Sequence, residues 1–136
     1  MNKYFLLLLV IIFAMAFITC DLQPTLTISN NSGVVLYNVK WNGTKFANVN
    51  ESYEDNYIKL ADKRSHEVDS GSGYIFFNIV TGKNGYNNNI YKQGRTQELI
   101  ELGKNENKVF TFSDSTIVIG TNLNSTPMTL QEFAYK

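Results

Sequence analysis

Val35-Leu36-Tyr37-Asn38-Val39-Lys40-Trp41-Asn42-Gly43-Thr44-Lys45-Phe46 is the stretch on which the fold turns. Val35, Tyr37, Val39 and Trp41 recur at period two, the pattern of a half-buried strand with one apolar face. Asn42-Gly43 follows without a spacer. Both residues tolerate the positive φ of a type I′ turn, so the chain folds straight back on itself. The register then sets Trp41 against Thr44 and Val39 against Phe46, and gathers Trp41, Val39 and Phe46 on one core face. An exposed Trp41 serving as a ligand platform is the competing reading. The apolar partners of Trp41 at period two speak against it.

Working outward, the same alphabet of short strands and turns continues in both directions. Leu26 and Ile28 alternate with Thr25, Thr27 and Ser29 as a first strand, closed by the turn cluster Asn30-Asn31-Ser32-Gly33. Residues 48–56 are polar and read as a loop. Tyr57-Ile58-Lys59-Leu60 is expected as a short edge strand, Ala61 to Arg64 as a turn and His66 to Val68 as another short strand. Asp69-Ser70-Gly71-Ser72-Gly73 reads as a flexible turn feeding Tyr74-Ile75-Phe76-Phe77-Asn78-Ile79-Val80. That near-continuous apolar run predicts a central strand covered on both faces.

Beyond it, Gly82 to Gly85 is a turn and Tyr86 to Lys92 a polar strand with aromatic ends, turned by Gln93-Gly94. Thr96 to Leu102, Val109 to Phe112 and Thr116 to Ile119 are further strands, and the last two are expected to form a hairpin around Ser113-Asp114-Ser115. Thr126-Pro127 is expected to cap a short final helix through Phe133. About eight or nine short strands at close turn spacing predict an all-β fold, an antiparallel β-sandwich immunoglobulin-like in outline. The Cys…Trp…Cys signature of true immunoglobulin domains is absent.

The first 20 residues are of another kind. Met1-Asn2-Lys3 precedes an unbroken apolar run from Tyr4 to Thr19, and the chain's one cysteine, Cys20, ends it. A short positive start, an apolar core and small residues near its end make an export signal. Three processing routes fit. A peptidase that cuts before Cys20 leaves a thiol to carry lipid. Cleavage after Ala16, guided by Ala14-Met15-Ala16, leaves a soluble protein with a free thiol. An uncleaved run remains as an anchor, slightly short of the ~20 apolar residues of a spanning helix. A lone cysteine forms no internal disulfide, and an unpaired thiol is unusual in an oxidising compartment, so acylation explains it best.

Phe17-Ile18-Thr19-Cys20 resembles the lipobox of bacterial lipoproteins, typically Leu, then Ala or Ser, then Gly or Ala, then Cys. Thr19 keeps the small residue, whereas Phe17 and Ile18 depart from the pattern in the relaxed way of spirochaete boxes. With the Trp41-Asn42-Gly43 hairpin and the Gly71-Ser72-Gly73-Tyr74-Ile75-Phe76-Phe77 strand, the chain is similar to small spirochaete lipoproteins. The resemblance implies a signal peptide over 1–19, acylation of Cys20 by chains such as palmitate, a lipidated tether over 20–24 and a β domain over 25–136. It implies a place in the bacterial cell envelope and no particular activity. One acyl chain holds a membrane marginally, while two or more hold it firmly.

Charge narrows the partners. Lys3 is the only basic residue in the signal, leaving 11 Lys and Arg against 12 Asp and Glu, a net charge of about −1. That excludes the concentrated basic footprint of a nucleic-acid binder and argues against electrostatic attachment to anionic lipid. The abundance of Asn, Tyr, Phe, Ile and Lys fits a bias of nucleotide composition; it also fits a Tyr/Asn-rich adhesive surface.

Catalytic sets are not legible. His66 is the one histidine, too few for a His-based zinc site, and its neighbours Ser65 and Glu67 make no triad without a Gly-x-Ser-x-Gly elbow. His66 reads as a surface histidine near a turn. Glu54-Asp55 are adjacent carboxylates, which point apart in a loop and do not flank a scissile bond. Asp62, Asp69 and Asp114 lack calcium-loop spacing, and Gly71 and Gly73 precede a strand, so they are turn glycines. No enzyme, metal or cofactor is expected. The one candidate binding stretch is Asn84 to Arg95, where Tyr86, Asn88, Tyr91 and Arg95 offer rings, amides and a cation suited to a protein or a glycan. A solvated edge hairpin guarded by Lys92 and Arg95 is the plainer reading. The expected function is a membrane-anchored, non-catalytic β-sandwich that binds a protein, with a glycan-binding module or a small hydrolase as alternatives.

Overall fold

The computed structural model describes residues 2–16, 22–46, 57–122 and 126–136. In chain order the elements are α1 (Lys3–Ala16), β1 (Thr25–Asn30), β2 (Tyr37–Trp41), β3 (Thr44–Lys45), β4 (Lys63–Glu67), β5 (Gly71–Gly73) and β6 (Ile75–Lys83). They continue with β7 (Asn89–Thr96), β8 (Ile100–Leu102), β9 (Asn107–Phe112), β10 (Ile117–Gly120), β11 (Met128–Thr129) and α2 (Leu130–Tyr135). The fold is an all-β sandwich: a six-stranded sheet ordered β11-β10-β7-β6-β2-β3 and a three-stranded sheet ordered β4-β1-β9, with a small β5-β8 ribbon. The described residues hold 11 strands, not eight or nine. The surplus comes from short pieces read as other elements, β5 inside the expected glycine-rich turn and the two-residue β11 inside the expected final helix.

The Asn42-Gly43 hairpin forms as its chemistry dictates, with φ of 45° and 83° at the two residues and Trp41 opposite Thr44. Val39, Trp41 and Phe46 are all buried, and the Trp41 indole N–H donates to the Gly73 carbonyl (3.1 Å). The expected alternation upstream breaks at Asn38. This residue sits at φ 48° inside a register shift between Tyr37 and Lys40, a β-bulge that reverses the phase of the strand. Leu36 is therefore buried, while Val35 and Tyr37 leave the core face. Asn tolerates this conformation at little cost.

β6 lies between β2 and β7, but it is not covered on both faces. Ile75, Phe77 and Ile79 are buried, while Phe76, Asn78 and Val80 are half-exposed on the outer side. An antiparallel sheet commonly packs one face on the core and leaves the other wet, and the run reads as near-continuous because Phe76 and Val80 on the wet side are apolar too. Phe77 anchors the core, edge-on to Phe112 of the other sheet (5.5 Å between centroids) and to Phe133 of α2 (5.8 Å). Full burial of such a ring contributes roughly 2–3 kcal/mol.

Gln93-Gly94 is not a turn. It lies inside β7, and a Cβ at Gly94 would come within 2.8 Å of Phe77 and 3.0 Å of Phe133. The glycine is there for the close approach of two rings. The expected β9–β10 hairpin is also absent. β9 pairs with β1 in parallel, in the three-stranded sheet, and β10 pairs with β7 and β11. The Ser113–Thr116 turn crosses between the layers, and Asp114 ties it down by accepting the Gly33 N–H (2.8 Å).

Smaller boundaries move for similar reasons. Tyr57–Leu60 lies beside residues 36–38 through two backbone hydrogen bonds, yet makes only an isolated bridge, Lys59 to Tyr37. β4 begins at Lys63, so the expected Ala61–Arg64 turn is partly strand, and the glycine-rich 71–73 segment pairs with β8. The final helix starts later than Thr126-Pro127. Thr129 caps it, in a box where the Thr129 hydroxyl accepts the Glu132 N–H and the Glu132 carboxylate accepts the Thr129 N–H. No helix among the described residues is long and apolar enough to cross a membrane.

Candidate binding face

Cross-strand register fixes what the six-stranded sheet presents outward. Tyr37 opposes Asn78 and Asn78 opposes Gln93; Val80 opposes Tyr91; Phe76 opposes Arg95 and Arg95 opposes Ile119. These side chains share the face away from the core, because directly paired residues lie on the same side. Most of them are half-exposed, although the face is the wet one.

Aromatic contacts give the face its character. Tyr57 stacks flat on Tyr91 at 3.4 Å and 3°, and Tyr37 meets Tyr91 edge-on at 5.5 Å. Nearby, the Arg95 guanidinium lies 4.0 Å over the Tyr74 ring while its Nη1 donates to the Thr96 carbonyl. Both arrangements hold side chains in place before any partner arrives, which lowers the entropic cost of binding.

The structure divides the four residues singled out in the sequence. Tyr91 and Arg95 lie on this face, four residues apart on β7, with Gln93 between them. Tyr86 and Asn88 sit at the tip of the β6–β7 hairpin, where Tyr86 is 89% exposed and both backbone N–H groups donate to the Asn84 side chain. The strand expected over Tyr86–Lys92 starts only at Asn89. Tyr37, Tyr57, Tyr74 and Phe76 carry no binding signal in the sequence. Alternation placed Tyr37 in the core, and only the positive-φ-tolerant Asn38 beside it hinted otherwise.

Cys20, the lipobox residues Phe17 to Thr19 and the Glu54-Asp55 pair lie outside the described residues. His66 is half-buried and not the open surface residue expected. It points to the core side of β4 opposite Leu26, edge-on to Phe46 at 5.1 Å, with a buried Nε2 that has no hydrogen-bond partner. Ser65 and Glu67 point to the opposite side of the strand, and the Ser65 hydroxyl pairs with that of Thr27 (2.7 Å). No triad is assembled there.

Among the described residues no group of three or more His, Cys, Asp or Glu is placed to hold a metal. Two open depressions, of about 370 and 340 Å³, lie between β9 and the segments 97–98 and 116–117 and beside Val35 and Tyr135; among the described residues Glu98 is the one carboxylate that lines either. Among the described residues the single shifted carboxyl is Glu132, held below its usual range by the Thr129 backbone N–H and then by the Thr129 hydroxyl, and that is the helix cap.

No protein-family model, curated protein or solved structure matches this chain.

Proposed function

We propose that this chain is a bacterial envelope lipoprotein, anchored through lipid on Cys20, whose β-sandwich is non-catalytic and binds a protein partner. The observation that carries the binding role is the outer face of the six-stranded sheet, where Tyr37, Tyr57, Tyr91 and Phe76 stay half-exposed in one patch. Tyrosine-rich patches of modest polarity are the usual material of protein interfaces, since rigid rings give area at low entropic cost. The glycan reading is the weaker one. Sugars stack on open ring faces, and here Tyr57 covers a face of Tyr91 while Arg95 covers a face of Tyr74.

Affinity purification of the full chain from native membranes in mild detergent tests the reading. A protein retained in stoichiometric amount, and lost from a Tyr37→Ser/Tyr91→Ser variant whose near-UV signal from Trp41 is unchanged, supports it. Retention of envelope polysaccharide in place of protein overturns it in favour of the glycan module.

A further inference from the structure

The same register that gathers the rings also gathers positive charge. Lys45 on β3 opposes Lys40 on β2, Lys40 opposes Phe76 on β6, and Phe76 opposes Arg95 on β7. Lys59 bridges to Tyr37 and joins the same side. Lys40, Lys45 and Lys59 are exposed and Arg95 half-exposed. Among the described strand residues of this sheet, no Asp or Glu shares the face. The one ion pair among the described residues, Lys108 to Glu106, is elsewhere. The outward side of the other sheet is mixed, with Lys63 and Glu67 on one strand. A domain with a slight negative excess has thus placed four cations on one face.

Two like charges directly opposite each other across a hairpin destabilise it. A lysine on the edge strand β3 is explained as a guard against edge-to-edge pairing. That explanation does not extend to Lys40 or Arg95, which lie on the inner strands β2 and β7. A counter-charge from outside the chain accounts for all of them.

We infer that this face binds an acidic segment of the partner protein, its carboxylates meeting Lys45, Lys40 and Arg95 while its apolar side chains rest on Phe76 and the tyrosines. The inference rests on the protein-partner reading above. Strands lie about 4.8 Å apart, so the row from Lys45 across β2 and β6 to Arg95 spans roughly 14 Å. An extended peptide brings same-side residues around every ~6.7 Å, so two or three alternating Asp or Glu residues fit the row. The rings between the cations suit a peptide better than an anionic membrane, which favours continuous basic clusters.

The test is fluorescence anisotropy of a labelled oligo-glutamate peptide against the full chain in neutral detergent, at low and rising salt. Parallel runs use heparin and phosphatidylglycerol vesicles. Saturable binding to the peptide is expected. Lys40→Gln/Lys45→Gln should weaken it by about tenfold, given up to about fivefold per exposed charge, while Lys63→Gln/Lys104→Gln, which removes equal charge elsewhere, changes it less than about twofold. Equal losses in the two pairs, or preference for heparin or vesicles over the peptide, would overturn the inference. If the native partner is retained by the wild type and equally by Lys40→Gln/Lys45→Gln, the protein-partner reading stands and the acidic chemistry fails. If no protein is retained by the wild type, the broader reading fails.

Discussion

Gly94→Ala sets two effects of opposite sign against each other. A glycine in a strand has excess freedom in the unfolded chain, and its backbone here is not in the left-handed region, so alanine alone would stabilise by about 0.4–1 kcal/mol. Against this, the new methyl would lie 2.8 Å from Phe77 Cζ and 3.0 Å from the Phe133 ring, where ordinary contact begins at 3.4 Å. Neither ring can swing away freely. Phe77 is fully buried against Phe112, and Phe133 is 1% exposed with the Lys92 ammonium 4.1 Å from its centroid. Overpacking of this kind costs about 1–3 kcal/mol, so a net loss of roughly 1–2 kcal/mol is expected. Urea unfolding followed by Trp41 fluorescence reads it as a lower midpoint at unchanged slope, and thermal unfolding as a fall of roughly 4–8 °C. Phe133→Leu should be less harmful in the Gly94→Ala background than alone, because the two sites share one space. A Gly94→Ala protein as stable as the wild type, or more so, would refute the packing of Phe77, Phe112 and Phe133 around β7.

Further expectations follow from single contacts. Asn38→Ala removes a side chain that accepts the Ile58 N–H (2.8 Å) and forces alanine into φ 48°, so a loss of about 1–3 kcal/mol is expected in the same unfolding assay. Lys45→Glu replaces a like-charge pair by an opposite one, so it should raise the unfolding midpoint slightly while weakening oligo-glutamate binding by about tenfold, a combination that misfolding cannot produce. Glu132 has a folded pKa below its ordinary value, so the cap's contribution is present above the unfolded pKa and is lost as pH falls through the folded one. The stability difference between wild type and Glu132→Gln should accordingly shrink in acid, as followed by unfolding between pH 7 and about pH 3. Intact-mass analysis of the mature protein should show a lipid-sized increment on a chain that begins at Cys20, absent from Cys20→Ala; an unmodified chain beginning at Phe17 would contradict the anchor.

What could be read from the chain was local. The Asn42-Gly43 turn carries its own chemistry, and with it the burial of Trp41, Val39 and Phe46 follows from residue spacing alone. Gly94 is ambiguous in the sequence because a glycine that makes a turn and a glycine that admits two rings look alike until the rings are placed. The Asn38 bulge reversed one strand's phase, and a period-two count has no means of registering an inserted residue. The parallel pairing of β1 with β9 joins segments about 80 residues apart, with nothing in either to announce the other. For the candidate face the same division holds. Tyr91 and Arg95 share one strand and were legible, whereas Tyr37 and Tyr57 reach them only through long-range pairing.

The most direct test of the account is photo-cross-linking in living cells of the native host, with a benzophenone side chain at Gln93 on the outer face of the six-stranded sheet or at Val109 on the outer face of the other sheet. The account predicts one protein adduct from position 93 and none from position 109. Adducts from 109 alone, or from neither position, would contradict the assignment of the six-stranded sheet as the binding surface.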